Sequence, residues 1–418
     1  MDVFVKKGKE NIKLKLINDN VKILKQKNFL HIEDEELIIE RSINNPINSK
    51  SLEEIISINE KIAIIVSDIT RPLPSYKILP ILLKHLENIG CQKENITIVF
   101  ALGAHRKQTE TEKIQLVGEE IYKNYKCVDS DQDDVIKLGT TSRGTPVEIT
   151  RVVAEADRRI CIANIEYHYF AGYSGGAKSI MPGCSTKNAI QKNHSNMINK
   201  DAVVGNIKKN PIREDLEEAI SFCSIDFIIN VILNSNKDIV YAVSGNYLDA
   251  HRTGCKFLDD INCVEINSKA DLVIVSQGGF PKDLNLYQTQ KALDNAQHAV
   301  KDGGIIILVG SCEERFGDDI FESWLIGAKS PDELLMRIKK HFVLGGHKAA
   351  AIAKVSKKSR IFLVSEMKEL RIDESIFKQY NDLQKAYDDA IRELPDNFST
   401  IVIPSGGSIL PRLKTLKN

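Results

Sequence analysis

Residues 61–72 read KIAIIVSDITRP. Ile62–Val66 is an unbroken apolar run without the in-out alternation of a half-exposed strand, which is the pattern of a strand covered on both faces, as in a parallel sheet. SDITRP follows at once, so Asp68 and Arg71 are placed in the turn at the carboxyl end of that strand, where open α/β sheets bind ligands. An amphipathic stretch over 75–89 comes next and a second apolar run, Ile96–Leu102, follows it. A buried strand, a helix and another buried strand make the repeating unit of a doubly wound α/β fold.

Working outward, Arg159–Ile165 and Ile225–Leu233 extend this first series. A second series begins near residue 270 with DLVIVS (271–276), a helix over about 284–301, GIIILVG (304–310), helices through 319–340, RIFLVSE (360–366) and STIVIPSGG (399–407). The expected class is α/β, with two doubly wound lobes of mostly parallel strands and the active site in the interdomain cleft. A chain of 418 residues is too long for one ordinary core. The join is placed in GNYLDAHRTGCKFLDDINCVEIN (245–267), which gives an N-terminal domain over 1–262 and a C-terminal domain over 263–418. Near the start, Val3 and Val5 are followed across KKGKEN by alternating Ile12, Leu14 and Leu16, a hairpin pattern, and VKIL comes after NDN. This opening is expected at the edge of the first lobe. There is no internal repeat and no low-complexity segment.

Lysine plus arginine number 57 and aspartate plus glutamate number 57, so no net field draws the chain to nucleic acid or to an anionic membrane. The N-terminus carries charges every few residues and has no signal-like apolar core, and no later run is long enough to span a bilayer. A cytoplasmic protein acting on a small molecule is expected. Eight cysteines are scattered singly with no C-x-x-C pair, which predicts reduced, mostly buried thiols.

Chemistry-bearing residues gather at strand ends. Arg71 is suited to gripping a carboxylate or phosphate bidentately; the competing reading is a local Asp68–Arg71 ion pair closing a turn before Pro72. In VFALGAHR (99–106), Gly103 permits an unusual turn and His105 then enters the same crevice, as a proton carrier or as a structural hydrogen-bonding residue. The richest stretch, NIEYHYFAGYSGGAKSIMPG (164–183), ends a strand near His168 and presents Lys178 from a glycine turn whose amides, at Ser174, Gly175 and Gly176, suit a phosphate. It is not a Walker A loop, because one residue separates the last glycine from the lysine. Lys178 is readable either as a low-pKa nucleophile or covalent anchor or as a phosphate-binding ammonium. Downstream, His194 lies on an amphipathic helix. In FPKDLNLYQTQKALDNA (280–296), Tyr287, Gln288 and Lys291 share roughly one helix face.

SDITRP, ALGAHR, YHYFAGYSGGAK, His194 and YQTQK occur together and in this order, and the set resembles the nickel-pincer nucleotide-dependent lactate racemase family over essentially the whole chain. The resemblance implies nickel held in a pyridinium-3,5-bisthiocarboxylic acid mononucleotide, joined covalently to Lys178 and ligated by His194. It implies His105 and His168 as the acid and base on the hydroxyl of a 2-hydroxy acid. Arg71 and Lys291 would hold the substrate carboxylate or neighbouring anions, with Asp68, Tyr287 and Gln288 beside them. Soft sulfur donors plus one imidazole suit square-planar nickel, which accounts for the lack of a multi-histidine motif. Enzymes that build the cofactor would be transient partners. The family's second-lobe tryptophan has no counterpart: Trp324 does not align with it, and LGGHKAA, with His347 and Lys348, falls in its place. The substrate is therefore open among lactate, longer or more acidic 2-hydroxy acids and sugar acids. Two other readings compete. One is a non-catalytic two-lobed binder of a nucleotide or organic anion, and the other is a zinc hydrolase using His105, His168 and His194, although no H-E-x-x-H signature is present.

Overall fold

The computed structural model describes residues 1–25, 33–234, 236–368 and 371–414. The chain forms two compact units, one of Phe29–Asp260 and one of Met1–Asn28 with Ile261–Asn418. Each is an α/β unit built on a six-stranded sheet.

In the Phe29–Asp260 unit the strands lie in the order Ile239–Gly245, Phe227–Leu233, Arg158–Asn164, Ile62–Ser67, Ile96–Ala101, Lys126–Asp129. All neighbours are parallel except Ile239–Gly245, which runs antiparallel along Phe227–Leu233. Ile62–Val66 is at most 1% exposed at every position, so the run is covered on both faces as its composition requires. Ile62, Ile64 and Val66 pack with Ile78, Leu82 and Leu86 of helix Ser75–Ile89. That helix stops at Gly90, whose φ of 96° lies in the left-handed region. Strand Ile62–Ser67, the first of this sheet in the chain, sits between Arg158–Asn164 and Ile96–Ala101. Connections diverge to either side of it, so the carboxyl ends here form the topological switch point at which such sheets bind ligands.

In the other unit the order is Lys378–Tyr380, Arg360–Val364, Val300–Val309, Ala270–Ser276, Thr400–Ile403, Val21–Ile23, all parallel. Here the expectation for the opening residues is corrected. The hairpin Asp2–Lys7 with Glu10–Lys15 does not edge the first lobe: Val3, Val5, Leu14 and Leu16 enter the core formed by Leu272, Ile274, Ile305 and Ile307, and Val21–Ile23 pairs with Thr400–Ile403. The alternation of apolar residues specifies a hairpin with one buried face, but it carries no information about which sheet that face meets.

Lys126–Asp129, Val135–Thr140, Pro146–Thr150, Ile239–Gly245 and Lys378–Tyr380 are strands outside the sequence reading, as are the short Gly172–Tyr173 and Leu410–Leu413. Lys126–Asp129, Val135–Thr140 and Lys378–Tyr380 are largely half-exposed, so their composition lacks the apolar run that marks a central strand, whereas Ile239–Gly245 is buried and apolar and is simply not read as a strand. All eight cysteines are free thiols. Among the described residues no helix is long and apolar enough to cross a membrane.

Candidate active site

Three adjacent strands of the Phe29–Asp260 sheet deliver the candidate residues from their carboxyl ends. After Ile62–Ser67 the chain turns at Asp68, with the Arg71 amide donating to the Asp68 carbonyl at 3.1 Å. The side chains do not make the Asp68–Arg71 pair. Asp68, 3% exposed, places Oδ2 2.7 Å from His105 Nδ1, and its Oδ1 accepts from Thr70 Oγ1 at 2.7 Å. A carboxylate only accepts, so His105 carries a proton on Nδ1, and in the neutral ring Nε2 is the nitrogen with the lone pair. Gly103, at φ 56°, makes the turn that brings His105 back to Asp68. Arg71 Nη1 lies 3.8 Å from Glu166 Oε1, a long pair between two side chains that are each more than a third exposed.

His168 ends the neighbouring strand region in a two-residue ladder with Gly172–Tyr173. Its Nδ1 accepts from the Ala171 amide at 3.2 Å. Burial, with the Arg71 guanidinium adding repulsion, pushes its pKa well below the usual imidazole range. The neutral ring therefore holds its proton on Nε2, the opposite tautomer to that of His105.

The loop before Lys178 is held by its carbonyls. Arg213, fully buried, donates Nε to the Ala171 carbonyl at 3.2 Å and Nη2 to the Tyr173 carbonyl, and His251 donates Nε2–H to the Ser174 carbonyl at 2.8 Å. Gly176, at φ 60°, lets the backbone pass over the His251 ring, where a Cβ would stand 2.9 Å from Cγ. Two of the three amides expected to cradle a phosphate, those of Ser174 and Gly176, have partners within the protein. Ser174 N donates to the Glu166 carbonyl at 2.9 Å, Gly176 N to Asn230 Oδ1 at 2.9 Å, and the Ser174 hydroxyl to the Asn164 carbonyl at 2.8 Å. These donors are engaged within the protein, and what they build is a rigid support for Lys178. Burial, with Arg213 and Arg71 adding repulsion, drives the Lys178 pKa well below the usual lysine range.

Phe170 is among the residues that sequence reasoning missed. Its ring is 3% exposed, and around it stand the His168 ring at 4.5 Å, the His194 ring at 4.7 Å and Lys178 Nζ at 5.9 Å from its centroid. His194 closes helix Lys187–His194, which begins at a Thr186 cap, and is 7% exposed. The aromatic run YHYF was the available signal, but nothing in it singles out one ring. Among the described residues no cluster of three or more His, Cys, Asp or Glu is placed to hold a metal ion, so a three-ligand zinc site does not assemble from His105, His168 and His194.

In the other unit, Tyr287, Gln288 and Lys291 lie on helix Leu286–Ala296, whose cap Asn285 accepts from the Gln288 amide at 3.1 Å. The Tyr287 ring faces Lys348 Nζ at 5.0 Å. Lys348 is 3% exposed and donates to Gln290 Oε1 at 2.8 Å. Burial raises the neighbouring Asp294 carboxyl to about 6. Burial also pushes His347 down to about 3. Trp324 packs against Gly346, where a Cβ would lie 2.6 Å from its ring, and stacks under Arg337 at 4.3 Å. It is a packing residue.

Comparison with known proteins agrees across sequence and structure. Residues 7–205 match the lactate racemase N-terminal domain and residues 265–410 the lactate racemase C-terminal domain. The chain is 33% identical over 391 residues to a lactate racemase of Thermoanaerobacterium thermosaccharolyticum, covering 91% of each. It is 37% identical over 306 residues to a lactate racemase of Lactiplantibacillus plantarum, covering 72% of each. The structure of the lactate racemase apoprotein from T. thermosaccharolyticum superposes with a TM-score of 0.91 at 31% identity, over 99% of this chain and 100% of that one. A Thermotoga maritima protein shares the fold at a TM-score of 0.66 and 18% identity, over 91% of this chain and 98% of that one. The chain belongs to the lactate racemase family.

Proposed function

We propose that the protein racemises or epimerises a 2-hydroxy acid with a nickel-pincer nucleotide tethered to Lys178 and ligated by His194. The observation that carries the proposal is the Phe170-centred group, in which an amine whose surroundings disfavour its charge and an imidazole flank one buried ring beside His168. A neutral amine is the nucleophilic form that a covalent tether requires, and a neutral imidazole is the form that ligates a metal. The donor set therefore fits the cofactor. When bound, the nickel-pincer nucleotide supplies an acceptor for the hydrogen on the substrate's carbinol carbon.

The remaining chemistry belongs to the chain. His105, with Nδ1–H held by Asp68, takes the hydroxyl proton on Nε2. Asp68 acts through His105, which is why we assign it to positioning that ring. His168 presents Nε2–H to the oxygen for the opposite enantiomer. To act as a base itself it must move that proton to Nδ1 and give up the Ala171 amide bond, a cost of about 1 kcal/mol, small enough for turnover. Arg71 grips the carboxylate, and Lys291, Tyr287 and Gln288 are assigned to substrate binding. Ser174, Gly175 and Gly176 are assigned to cofactor binding, through the turn that presents Lys178. We assign the protein to the cytoplasm, with enzymes that build the cofactor as its transient partners, and lactate is the first substrate to try.

The test is intact-protein mass and nickel content after co-production with pincer-synthesising enzymes. Wild type is expected to gain a nucleotide-sized increment and nickel, and Lys178→Ala neither. His105→Ala and His168→Ala are expected to keep both and to lose turnover on a panel of 2-hydroxy acids. An absent increment in wild type would point instead to a binding protein, and full turnover in either histidine variant would refute the acid–base assignment.

A further inference from the structure

Behind His194 lies a buried chain of polar groups that the proposed reaction does not use. Thr141, Thr145, Asn193 and Asp215 are each 3% exposed or less. Thr141 and Thr145 flank the turn between strands Val135–Thr140 and Pro146–Thr150, Asp215 lies on helix Pro211–Ala219, and Asn193 precedes His194 on helix Lys187–His194. Both threonine hydroxyls donate to the Asp215 carboxylate, Thr145 at 2.7 Å. Asn193 Nδ2 donates to Asp215 Oδ2 at 2.7 Å and to the Ile212 carbonyl at 3.2 Å. Asn193 Oδ1 stands 3.0 Å from His194 Nδ1.

The chemistry of these partners leaves one arrangement. A carboxylate and a carbonyl only accept, so the amide nitrogen of Asn193 must face them, and a flipped amide would set oxygen against two acceptors. The Asn193 oxygen then faces His194, and the only favourable contact is with a proton on Nδ1. We propose that Asp215 and Asn193 are positioning residues for nickel, a relay that fixes the His194 proton on Nδ1 and reserves the Nε2 lone pair for the metal. The inference rests on the reading of His194 as the nickel ligand. Hydrogen-bonding partners behind a ligating imidazole set its tautomer and orientation, and their loss weakens metal binding by roughly 10- to 100-fold.

The experiment uses the full-length chain without cofactor, labelled with ring-15N histidine, and reads the His194 tautomer from two-bond proton–nitrogen correlations. Wild type is expected to show Nδ1–H. Asn193→Leu is expected to lose that preference. The double exchange Asn193→Asp with Asp215→Asn rebuilds an acceptor for Nδ1–H and a donor behind it, and is expected to restore the preference, which separates the relay from a simple folding defect. A parallel arm measures nickel per covalent adduct under graded EDTA after co-production with pincer-synthesising enzymes. Nickel retention is expected to fall by roughly 10- to 100-fold in Asn193→Leu and to recover in the exchange variant. An unchanged tautomer in Asn193→Leu, or wild-type nickel retention despite a changed tautomer, overturns the proposal. An adduct in wild type that holds no nickel overturns the ligand assignment on which it rests, and the tautomer arm then shows whether the relay exists apart from it.

Discussion

Asp68→Asn separates two roles that an aspartate in this crevice can have. The structure gives its carboxylate to His105, at 2.7 Å with Asp68 3% and His105 46% exposed. A hydrogen bond to a charged group contributes about 1.5–3 kcal/mol, and the half-exposed imidazole puts this one in the lower half of that range because solvent screens it. If the bond is worth about 1.5–2 kcal/mol in the transition state, where His105 carries the hydroxyl proton, its loss slows the chemical step by roughly 10- to 30-fold. That is less than the 10²- to 10⁴-fold contribution typical of the base itself.

The split between kinetic constants is decisive. A residue that acts through His105 lowers kcat and leaves KM nearly unchanged, whereas a residue that binds substrate equally in ground and transition states raises KM. Racemisation would be followed by circular dichroism on the best substrate of the panel, with the adduct mass checked in each preparation. Thr70→Val, which removes the donor to Asp68 Oδ1 and the longer 3.4 Å contact of the same hydroxyl with His105 Nδ1, is expected to cost a few-fold at most. A kcat for Asp68→Asn within twofold of wild type, or a loss carried by KM alone, would refute the positioning role.

Three further outcomes follow from the same geometry. Because burial and neighbouring cations lower the Lys178 pKa, its side-chain NMR signal in the cofactor-free protein is expected to titrate well below the usual lysine range, taking up a proton only as pH falls; an ordinary lysine titration would contradict the neutral-amine reading. Gly176→Ala forces a Cβ to within 2.9 Å of His251 Cγ at φ 60°, so adduct occupancy is expected to collapse, while Gly118→Ala, at φ 88° with nothing within 4 Å, is expected to retain it; equal occupancy in the two would remove the support role from the loop. His298 is pushed down to about 4 by burial, so the folded state refuses a proton that the unfolded chain accepts below about 6.5; its contribution to stability is present above that pH and lost as pH falls through 4, by up to about 3 kcal/mol. Urea unfolding of His298→Leu is accordingly expected to lose less stability than wild type between pH 6.5 and 4, and parallel curves would contradict the assignment.

What is legible in the sequence and what is hidden there divide along physical lines. Strands buried on both faces, such as Ile62–Ser67 and Ala270–Ser276, are legible because a short, continuous apolar run between turn signals is stable only where both of its faces are covered. His105, His168 and Lys178 are legible because glycines and strand ends mark places where backbone turns toward ligands. Phe170, Arg213, Asn193 and Asp215 were not legible. Each sits in an ordinary amphipathic or aromatic context, and its importance arises from contacts such as Asn193 to Asp215 and Arg213 to Ala171, which cross 22 and 42 residues of chain. The placement of the opening hairpin was hidden for the same reason, since pairing of Val21–Ile23 with Thr400–Ile403 is a property of the folded sheet.

The opposite tautomers of His105 and His168 bear on how asymmetry can be expressed in a racemase. The two enantiomers of a 2-hydroxy acid have equal free energy, so kcat/KM must be the same in both directions whatever the residues do. A base preset by a buried carboxylate for one enantiomer, and one that must first release the Ala171 amide for the other, cannot make the enzyme favour either product. The difference between them is confined to compensating changes in kcat and KM. Under the proposed assignment, the enantiomer served by His105 would pass its first proton transfer without rearrangement, whereas the one served by His168 would carry an added cost of about one hydrogen bond. The wiring of the two histidines therefore shapes how the enzyme is occupied during turnover, while the equilibrium stays fixed by the symmetry of its substrates.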